Sequence, residues 1–229
     1  MTGFFMDITV FKTILPFRDI CSHAEKAQKS VILLRHSYRH SFNTGTMEPE
    51  LTEKGVEYAR NCGKLLAGMP DVSFGASPRL RCVQTARALM QGGNYPDSEI
   101  RRHPELRDTV MFTQPENLEK TIADNSIGRV LQDYFNLGRG EGTLSLQDAH
   151  AALLIHLTRH ASGSRNTILV THDNIAVTLM MPLGVYPFKP DDWCGYIQGA
   201  ALFCSPEGEW SIFYTVPDIG NREPAHFFV

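Results

Sequence analysis

The chain has 229 residues, of which 42% are hydrophobic and 21% are charged, and its formal net charge is −3 at pH 7. This size and composition predict one globular domain with a buried core of its own. The small negative net charge disfavours nucleic acid and anionic membranes as partners.

The sequence also indicates a cellular setting. Its N-terminal stretch lacks a basic segment, and Asp7 and Lys12 interrupt the apolar residues, so it does not resemble a signal peptide. The sequence contains no run of about 18 apolar residues, which disfavours a membrane-spanning helix. The five cysteines form no Cys-x-x-Cys pair, which favours free thiols over a disulfide framework. We therefore expect a cytoplasmic protein.

The first third of the chain predicts alternating strands and helices. Residues 1–30 form an N-terminal extension, expected to pack on the domain as a short helix or an edge segment. The apolar run 31–34 is typical of a strand that is buried on both faces. Thr52 is a suitable N-cap for a helix over residues 53–67.

The next segments continue this alternation and then lose it. A second strand is predicted over residues 72–76, and Ser77 followed by proline indicates a helix over 79–90 with the serine hydroxyl as its cap. A third short strand is expected near Ile100. Residues 109–145 are weakly patterned and rich in glycine, and we predict an insertion that acts as a lid or selects the substrate.

The rest of the chain completes the predicted fold. The further elements are helix 146–160, strand 167–170, helix 174–181 and a hairpin of strands 200–204 and 210–215. Strands that alternate with helices predict a three-layer α/β/α sandwich over residues 31–229, with a mainly parallel central sheet and an antiparallel edge.

Two histidines occupy matching positions, because His36 and His172 each directly follow a predicted buried strand. The carboxyl ends of strands form the ligand crevice of open α/β sheets, so the two imidazoles are expected to meet there. Arg35 and Arg39 flank His36, and Arg81 lies early in a predicted helix. The planar guanidinium fork suits bidentate binding of a phosphate ester, which is strongly anionic at neutral pH. These residues predict a phosphate site.

A zinc site is the alternative interpretation of the same segment, since His36 and His40 have the i, i+4 spacing of helical ligands. The local sequence is typical of a loop, however, and adjacent arginines would repel a cation. We therefore expect no metal and no other cofactor. The remaining arginines of the central region are expected on the solvated surface, namely Arg79, Arg87, Arg101, Arg102 and Arg107.

Four segments resemble the signature of the histidine phosphatase (phosphoglycerate mutase-like) superfamily. They are LLRHSYR at 33–39, LTEKG at 51–55, SPRLRCVQTA at 77–86 and VTHD at 170–173. Each segment is weakly specific alone. The four together, in the family's order over about residues 31–180, are highly specific.

The resemblance implies a role for each matching residue. His36 would be the nucleophile that carries the phosphoryl group, and His172 with the three arginines would hold the phosphoryl oxygens. These residue types suit phosphoryl transfer, which needs mainly positioning and compensation of charge. An imidazole attacks through an unprotonated nitrogen, and a backbone carbonyl that holds the other N–H would select that tautomer.

The proton donor for the leaving group is open between three carboxylates. In the acid phosphatase and phytase branch an aspartate follows the second histidine, which Asp173 matches, and an arginine stands three residues after the nucleophile, which Arg39 matches. The mutase-like branch has a glutamate where Asp108 stands, with Glu105 nearby. We favour Asp173 over Asp108, and we rank Glu105 third.

Two departures from the family pattern bear on activity. Ser37 replaces a glycine, so its hydroxyl could bind the phosphate or its side chain could crowd the site. The acidic residue of the mutase pattern is absent, which favours hydrolysis. We therefore expect a phosphomonoester hydrolase that forms a phosphohistidine and acts on a small phosphorylated substrate. The alternatives are a weakly active or inactive relative that binds phosphorylated ligands, and a phosphoglycerate mutase-like phosphotransferase.

Overall fold

The computed structural model describes residues 8–217, except for residues 42–47, 98, 108–109, 115, 118–119, 122–123, 125–126, 161–162 and 190. Its strands are β1 (Ile8–Pro16), β2 (Lys29–Arg35), β3 (Val72–Ala76), β4 (Arg101–Arg102), β5 (Asn166–Thr171), β6 (Gly199–Cys204) and β7 (Trp210–Val216). Its helices are α1 (Phe17–Lys26), α2 (Glu53–Leu65), α3 (Leu80–Gly92), α4 (Ile127–Leu137), α5 (Leu146–His160) and α6 (Asp173–Met180), and a 3-10 turn spans Pro104–Leu106. Among these described helices, none is both long enough and apolar enough to cross a membrane.

The strands form one mixed sheet in the order β1-β7-β6-β2-β5-β3-β4. Strands β2, β5, β3 and β4 run parallel to their neighbours in this half of the sheet. Strand β6 runs antiparallel to both β2 and β7, and β1 adds outside β7 in parallel. The predicted sheet, mainly parallel with antiparallel strands towards one edge, is confirmed.

Strand β2 shows why the sheet is covered on both faces. All four residues of its apolar run are fully buried, with Ile32 and Leu34 in one core cluster and Val31 and Leu33 in the other. Successive side chains of a strand point to opposite faces, so such a run needs a layer of helices on each side. Helices α1, α2 and α3 contribute to the first cluster, and α5 and α6 to the second. The predicted three-layer sandwich is confirmed.

Helix α2 begins as predicted and packs closely on the loop after β2. The hydroxyl of Thr52 accepts a hydrogen bond from the Gly55 N–H at 3.0 Å, which satisfies one free donor of the first turn. A Cβ on Gly55 would lie 2.0 Å from the carbonyl oxygen of Tyr38. Glycine is therefore required at this position, because it lets the helix touch the backbone of the loop that carries His36.

The described part of the insertion packs against the second helical layer. A small cluster joins side chains of the insertion and α4 to the start of α5, namely Met111, Phe112, Val130, Leu131, Tyr134, Leu146 and Ala149. The amide of Asn174 in α6 lies 3.1 Å from the sulfur of Met111. The insertion thus reaches the residue that follows Asp173.

Candidate active site

His36 and His172 meet at the carboxyl ends of adjacent parallel strands. Arg35 of β2 pairs in register with Thr171 of β5, and each histidine is the next residue. The His36 N–H donates to the Thr171 carbonyl at 2.9 Å, and the two imidazole centroids are 5.6 Å apart. Both side chains are buried. The structure therefore brings the two predicted histidines together.

The ring of His36 is held in one tautomer by its own loop. Its Nδ1 lies 2.8 Å from the carbonyl oxygen of Ser37. A carbonyl can only accept a hydrogen bond, so Nδ1 carries the proton and Nε2 keeps its lone pair. This is the arrangement that a nucleophilic imidazole needs.

The ring of His172 is held by two side chains instead. Arg81 Nη2 lies 3.2 Å from Nδ1, and the guanidinium can only donate, so Nε2 carries the proton. That nitrogen lies 3.1 Å from the hydroxyl oxygen of Ser77. The prediction that this hydroxyl caps α3 is wrong. The N-cap residue is Arg79, whose own side chain makes no capping hydrogen bond, and the free Leu80 N–H of the first turn donates to a carboxylate oxygen of Glu48 at 3.0 Å.

Burial and positive charge keep both imidazoles neutral. Desolvation lowers the pKa of His36 well below 6.5, and the neighbouring charges of Arg81 and Arg35 lower it further. Burial and then Arg81 likewise lower the pKa of His172 well below 6.5. His36 therefore stays unprotonated at neutral pH and in weak acid.

The three predicted arginines converge around these rings. Arg35 Nη1 donates to the Cys194 carbonyl at 2.7 Å, and Nη2 lies 3.3 Å from an oxygen of Asp173. Its Nε is buried and has no hydrogen-bond partner among the described residues. Arg81 is 3% exposed. Burial lowers the pKa of Arg39, and the charge of Arg81 adds to this effect. Such a concentration of positive charge favours a multiply charged anion.

Arg79 belongs to the same electropositive region, so the prediction that it faces solvent is wrong. Its side chain is 11% exposed, and Nη1 lies 2.5 Å from an oxygen of Glu48. Burial alone would raise the Glu48 pKa, but hydrogen bonds from Arg79 and the Leu80 N–H lower it overall. The Arg79 charge is also among the causes that lower the His172 pKa.

Ser37 requires a correction as well. Its hydroxyl donates to the Gly55 carbonyl at 2.7 Å, and its N–H donates to the Thr85 hydroxyl at 3.0 Å. The single hydroxyl hydrogen is therefore directed at α2 and not at a phosphate. In this structure Ser37 anchors the loop while its carbonyl orients His36, and the predicted phosphate-binding hydroxyl is not found.

The three candidate proton donors have different positions. Asp173 is the first residue of α6, where one carboxylate oxygen accepts from the Asn174 N–H at 2.9 Å and the other pairs with Arg35. Glu105 is exposed on the 3-10 turn. Asp108 lies outside the described residues. Asp173 is thus the candidate that contacts a predicted phosphate-binding arginine.

The alternative zinc site at His36 and His40 is not formed. His40 is exposed, whereas His36 is buried and bonded to its neighbour's carbonyl. Within the described part of the chain, the group of side chains close enough to share a metal ion contains neither of them.

Tyr196, which the sequence allows either in the core or at the mouth of the site, lies against Arg35. The guanidinium carbon of Arg35 lies 4.4 Å from the centre of its ring, and the ring of Tyr38 lies 4.3 Å away. The next residue, Ile197, has φ of 55°, which is strained for a branched side chain. Its N–H donates to the Arg35 carbonyl at 3.1 Å. The loop before β6 therefore folds over Arg35, about 160 positions away in sequence, and no local pattern signals that contact.

The depressed histidine pKa values predict a stability that falls in weak acid. The unfolded chain takes up protons on its histidines below about pH 6.5, whereas buried His36 and His172 stay neutral, so protonation favours unfolding. We expect the unfolding free energy to fall by roughly 1.4 kcal/mol per pH unit for each of the two histidines, from pH 6.5 down to their folded-state pKa values. Urea unfolding between pH 7.5 and 5.5 measures the slope.

The His36→Asn variant isolates one histidine in that measurement. Below pH 6.5 its unfolding free energy should fall less steeply than that of the wild type, by about 1.4 kcal/mol per pH unit, which is the contribution of one proton. An unchanged slope in His36→Asn would contradict the assignment of a neutral buried imidazole.

Comparison with known proteins finds one family whose model matches this sequence. The family model described as histidine phosphatase superfamily (branch 1) matches residues 31–190. No curated protein matches the sequence. Many solved structures share the fold, and three of them illustrate the range of names.

A phosphoglycerate mutase from Bacillus anthracis is 16% identical, with a TM-score of 0.58 over 85% of this chain and 96% of that one. A mycobacterial glucosyl-3-phosphoglycerate phosphatase complexed with VO3 is 20% identical, with a TM-score of 0.56 over 82% and 98%. A phosphoserine phosphatase from Entamoeba histolytica, in complex with 3-phosphoglyceric acid, is 17% identical, with a TM-score of 0.56 over 82% and 97%. At these identities the likeness shows the fold alone.

Proposed function

The chain belongs to the histidine phosphatase superfamily, and from this premise we propose that it is a phosphomonoester hydrolase that forms a phosphohistidine at His36. The observation that carries the proposal is the hydrogen bond from His36 Nδ1 to the Ser37 carbonyl, 2.8 Å long, beside buried Arg81 and the partly buried Arg35 and Arg39. It leaves Nε2 free to attack, and the arginines supply the charge that a phosphate ester requires.

In the first step, the lone pair of His36 Nε2 attacks phosphorus and the bond from phosphorus to the leaving oxygen breaks. The leaving alkoxide takes a proton from a carboxylic acid, for which Asp173 is the first candidate. Arg35 offers its buried Nε to the phosphoryl oxygens, and Arg81 holds His172 at their side. These donors act on the charge that is spread over the equatorial oxygens in the transition state.

In the second step, water attacks phosphorus and the bond to Nε2 breaks. The electron pair returns to the His36 ring, and the carboxylate that gave its proton takes one from the water. Inorganic phosphate then leaves and the enzyme regains its first state. Burial keeps His36 neutral for the next cycle, because its pKa lies well below 6.5.

The replacement of glycine by Ser37 does not argue against catalysis. Its hydroxyl bonds to Gly55 of α2, away from the imidazole nitrogen that attacks. This contact supports hydrolysis over the alternative of an inactive phosphate-binding relative. An inactive phosphate-binding protein and a mutase-like phosphotransferase are the two alternative functions that the substrate panel below distinguishes from hydrolysis.

The substrate is proposed to be a small phosphorylated molecule. The similar structures include a glucosyl-3-phosphoglycerate phosphatase and a phosphoserine phosphatase, and both names describe small phosphate esters. The insertion 109–145 is proposed to be the lid that selects among them, since Met111 already contacts Asn174 beside Asp173.

A panel of phosphate esters tests the proposal. We expect turnover of nitrophenyl phosphate and of several sugar or acid phosphates in the presence of a chelator, and an acid-labile, base-stable phosphoprotein after rapid quenching. Vanadate binding without turnover of any ester would indicate a binding protein instead. Movement of phosphate between two hydroxyls of one substrate, without release, would indicate a mutase.

The proton donor is assigned by its dependence on the leaving group. An alkyl phosphate needs a proton on its departing oxygen, whereas nitrophenolate leaves without one. We expect Asp173→Asn to lower kcat by about 10²–10³-fold on alkyl phosphates and less than tenfold on nitrophenyl phosphate. Steady-state kinetics on matched substrate pairs gives both numbers.

The Asp108→Asn variant is the matched comparison. If Asp173 is the donor, Asp108→Asn should lose activity equally on both kinds of ester. If instead Asp108→Asn lost activity selectively on alkyl phosphates, Asp108 would be the proton donor. Since Asp173 also pairs with Arg35 at 3.3 Å, a uniform loss in Asp173→Asn would show that it serves only to position the arginine.

A further inference from the structure

A second cluster of ligand-type side chains lies where the 3-10 turn meets helix α5. His103 precedes the turn, Glu105 lies within it, and His156 projects from α5. One donor atom from each residue lies within 4.8 Å of the other two. The imidazole rings of the two histidines are 5.4 Å apart and nearly perpendicular.

We propose that His103, Glu105 and His156 bind a zinc ion as its three protein ligands, with water completing the tetrahedron. Two imidazoles and a carboxylate are the donors that Zn²⁺ takes in proteins, whereas Mg²⁺ and Ca²⁺ prefer oxygen alone. Tetrahedral zinc with bonds of about 2.0–2.2 Å places its ligand atoms about 3.4 Å apart. The present separations therefore need to close by no more than about 1.4 Å.

The burial of the three residues suits this closure. His103 is 4% exposed, and its ring fills the space that a side chain on Gly75 of β3 would occupy, because Nε2 lies 2.6 Å from the position of a Cβ there. His156 is half-buried, and Glu105 is exposed on a short turn. The site thus has one buried ligand, one half-buried ligand on a helix and one exposed carboxylate on the turn.

The cluster lies between two segments that already share the second core, since Leu106 of the turn belongs to the same cluster as Leu153 and Leu157 of α5. The His103 N–H donates to the Ala76 carbonyl at 2.8 Å, and the Leu106 carbonyl accepts from the Thr171 hydroxyl at 2.8 Å. A metal ion here would add a link from the turn to α5, at the base of the insertion. It would stabilise the segment that leads to the active site.

Zinc titration of the full-length protein tests the site. After treatment with a chelator and its removal, the wild type should bind one Zn²⁺ with a micromolar or lower Kd, measured by competition with a chromophoric chelator. At free zinc about a hundredfold above Kd, the Tm should rise by about 5–10 °C. Co²⁺ should give the visible absorption bands of a tetrahedral complex.

Variants separate this site from incidental binding. Glu105→Gln and His156→Gln should each weaken zinc binding at least tenfold and abolish the cobalt bands, while circular dichroism shows that both variants are folded. Glu57→Gln on α2 and His23→Gln on α1 are the matched controls and should bind as the wild type does. Binding that is weaker than about 100 μM in the wild type, or equal in all variants, would overturn the proposal.

Discussion

The His36→Asn variant is expected to lose at least about 10⁴-fold in kcat on every phosphate ester that the wild type hydrolyses. The reason is that Nε2 of His36 is the one atom that forms the bond to phosphorus in the proposed mechanism. Asparagine keeps a polar side chain in the buried space beside the Ser37 carbonyl but offers no nucleophile. The quenched phosphoprotein should disappear together with turnover.

A matched control guards this result against a general loss of structure. His40→Gln changes an exposed histidine four residues further along the same loop, and it should retain turnover within about twofold of the wild type. Vanadate binding should persist in His36→Asn because the arginines remain in place. Hydrolysis in His36→Asn at the wild-type rate would rule out the phosphohistidine route.

The Arg81→Gln variant is also expected to lose activity strongly, on every phosphate ester. Arg81 is 3% exposed and donates to His172 at 3.2 Å. Removal of one positioned donor to transition-state oxygens typically costs about 10²–10³-fold in kcat. We expect a loss of that size in kcat/KM, together with weaker binding of vanadate.

The same variant should also change the pH dependence of activity. After burial, the Arg81 charge is the largest cause that lowers the pKa values of His36 and His172. Its removal should raise both pKa values, so that His36 becomes protonated at higher pH and the acid limb of kcat/KM moves towards neutral pH. Arg81→Lys keeps the charge and loses the planar fork, so its acid limb should stay near that of the wild type while its rate falls.

Arg87→Gln provides the control on the same helix. Arg87 pairs with Asp97 at the surface of α3, and its side chain is 42% exposed. The substitution should leave both the rate and the pH profile unchanged. If Arg81→Gln lowered the rate but left the acid limb in place, Arg81 would bind phosphate without setting the protonation of the histidines.

Local patterns predicted most of the elements because each depends on neighbouring residues. The apolar run 31–34 of β2 needs burial on both faces, and the Thr52 cap needs only the N–H of Gly55 three positions on. The positions of His36 and His172 could also be predicted from the residues next to them. Each directly follows a parallel strand, and parallel strands end at the same edge of a sheet.

The family resemblance implied roles for the arginines, but it left the side chain of Ser37 open, because this residue departs from the family's glycine. Its hydroxyl could bind the phosphate or its side chain could crowd the site, and the structure directs the hydroxyl to Gly55 instead. The direction of that hydroxyl depends on how closely α2 approaches the loop, which Gly55 permits. A residue's neighbours in sequence do not define this approach.

The sequence by itself determined the alternation of strands and helices, the class of the fold and the pairing of two histidines with three arginines. Only the tertiary structure decided which other side chains contact these histidines and arginines. Ser77 reaches His172 across 95 positions, and the loop that carries Tyr196 folds over Arg35. Contacts of this kind form because close packing of the interior brings together segments that are distant in the sequence. The free energy of burying a side chain depends on how well it fits its neighbours in space, and not on how far away those neighbours are in the sequence.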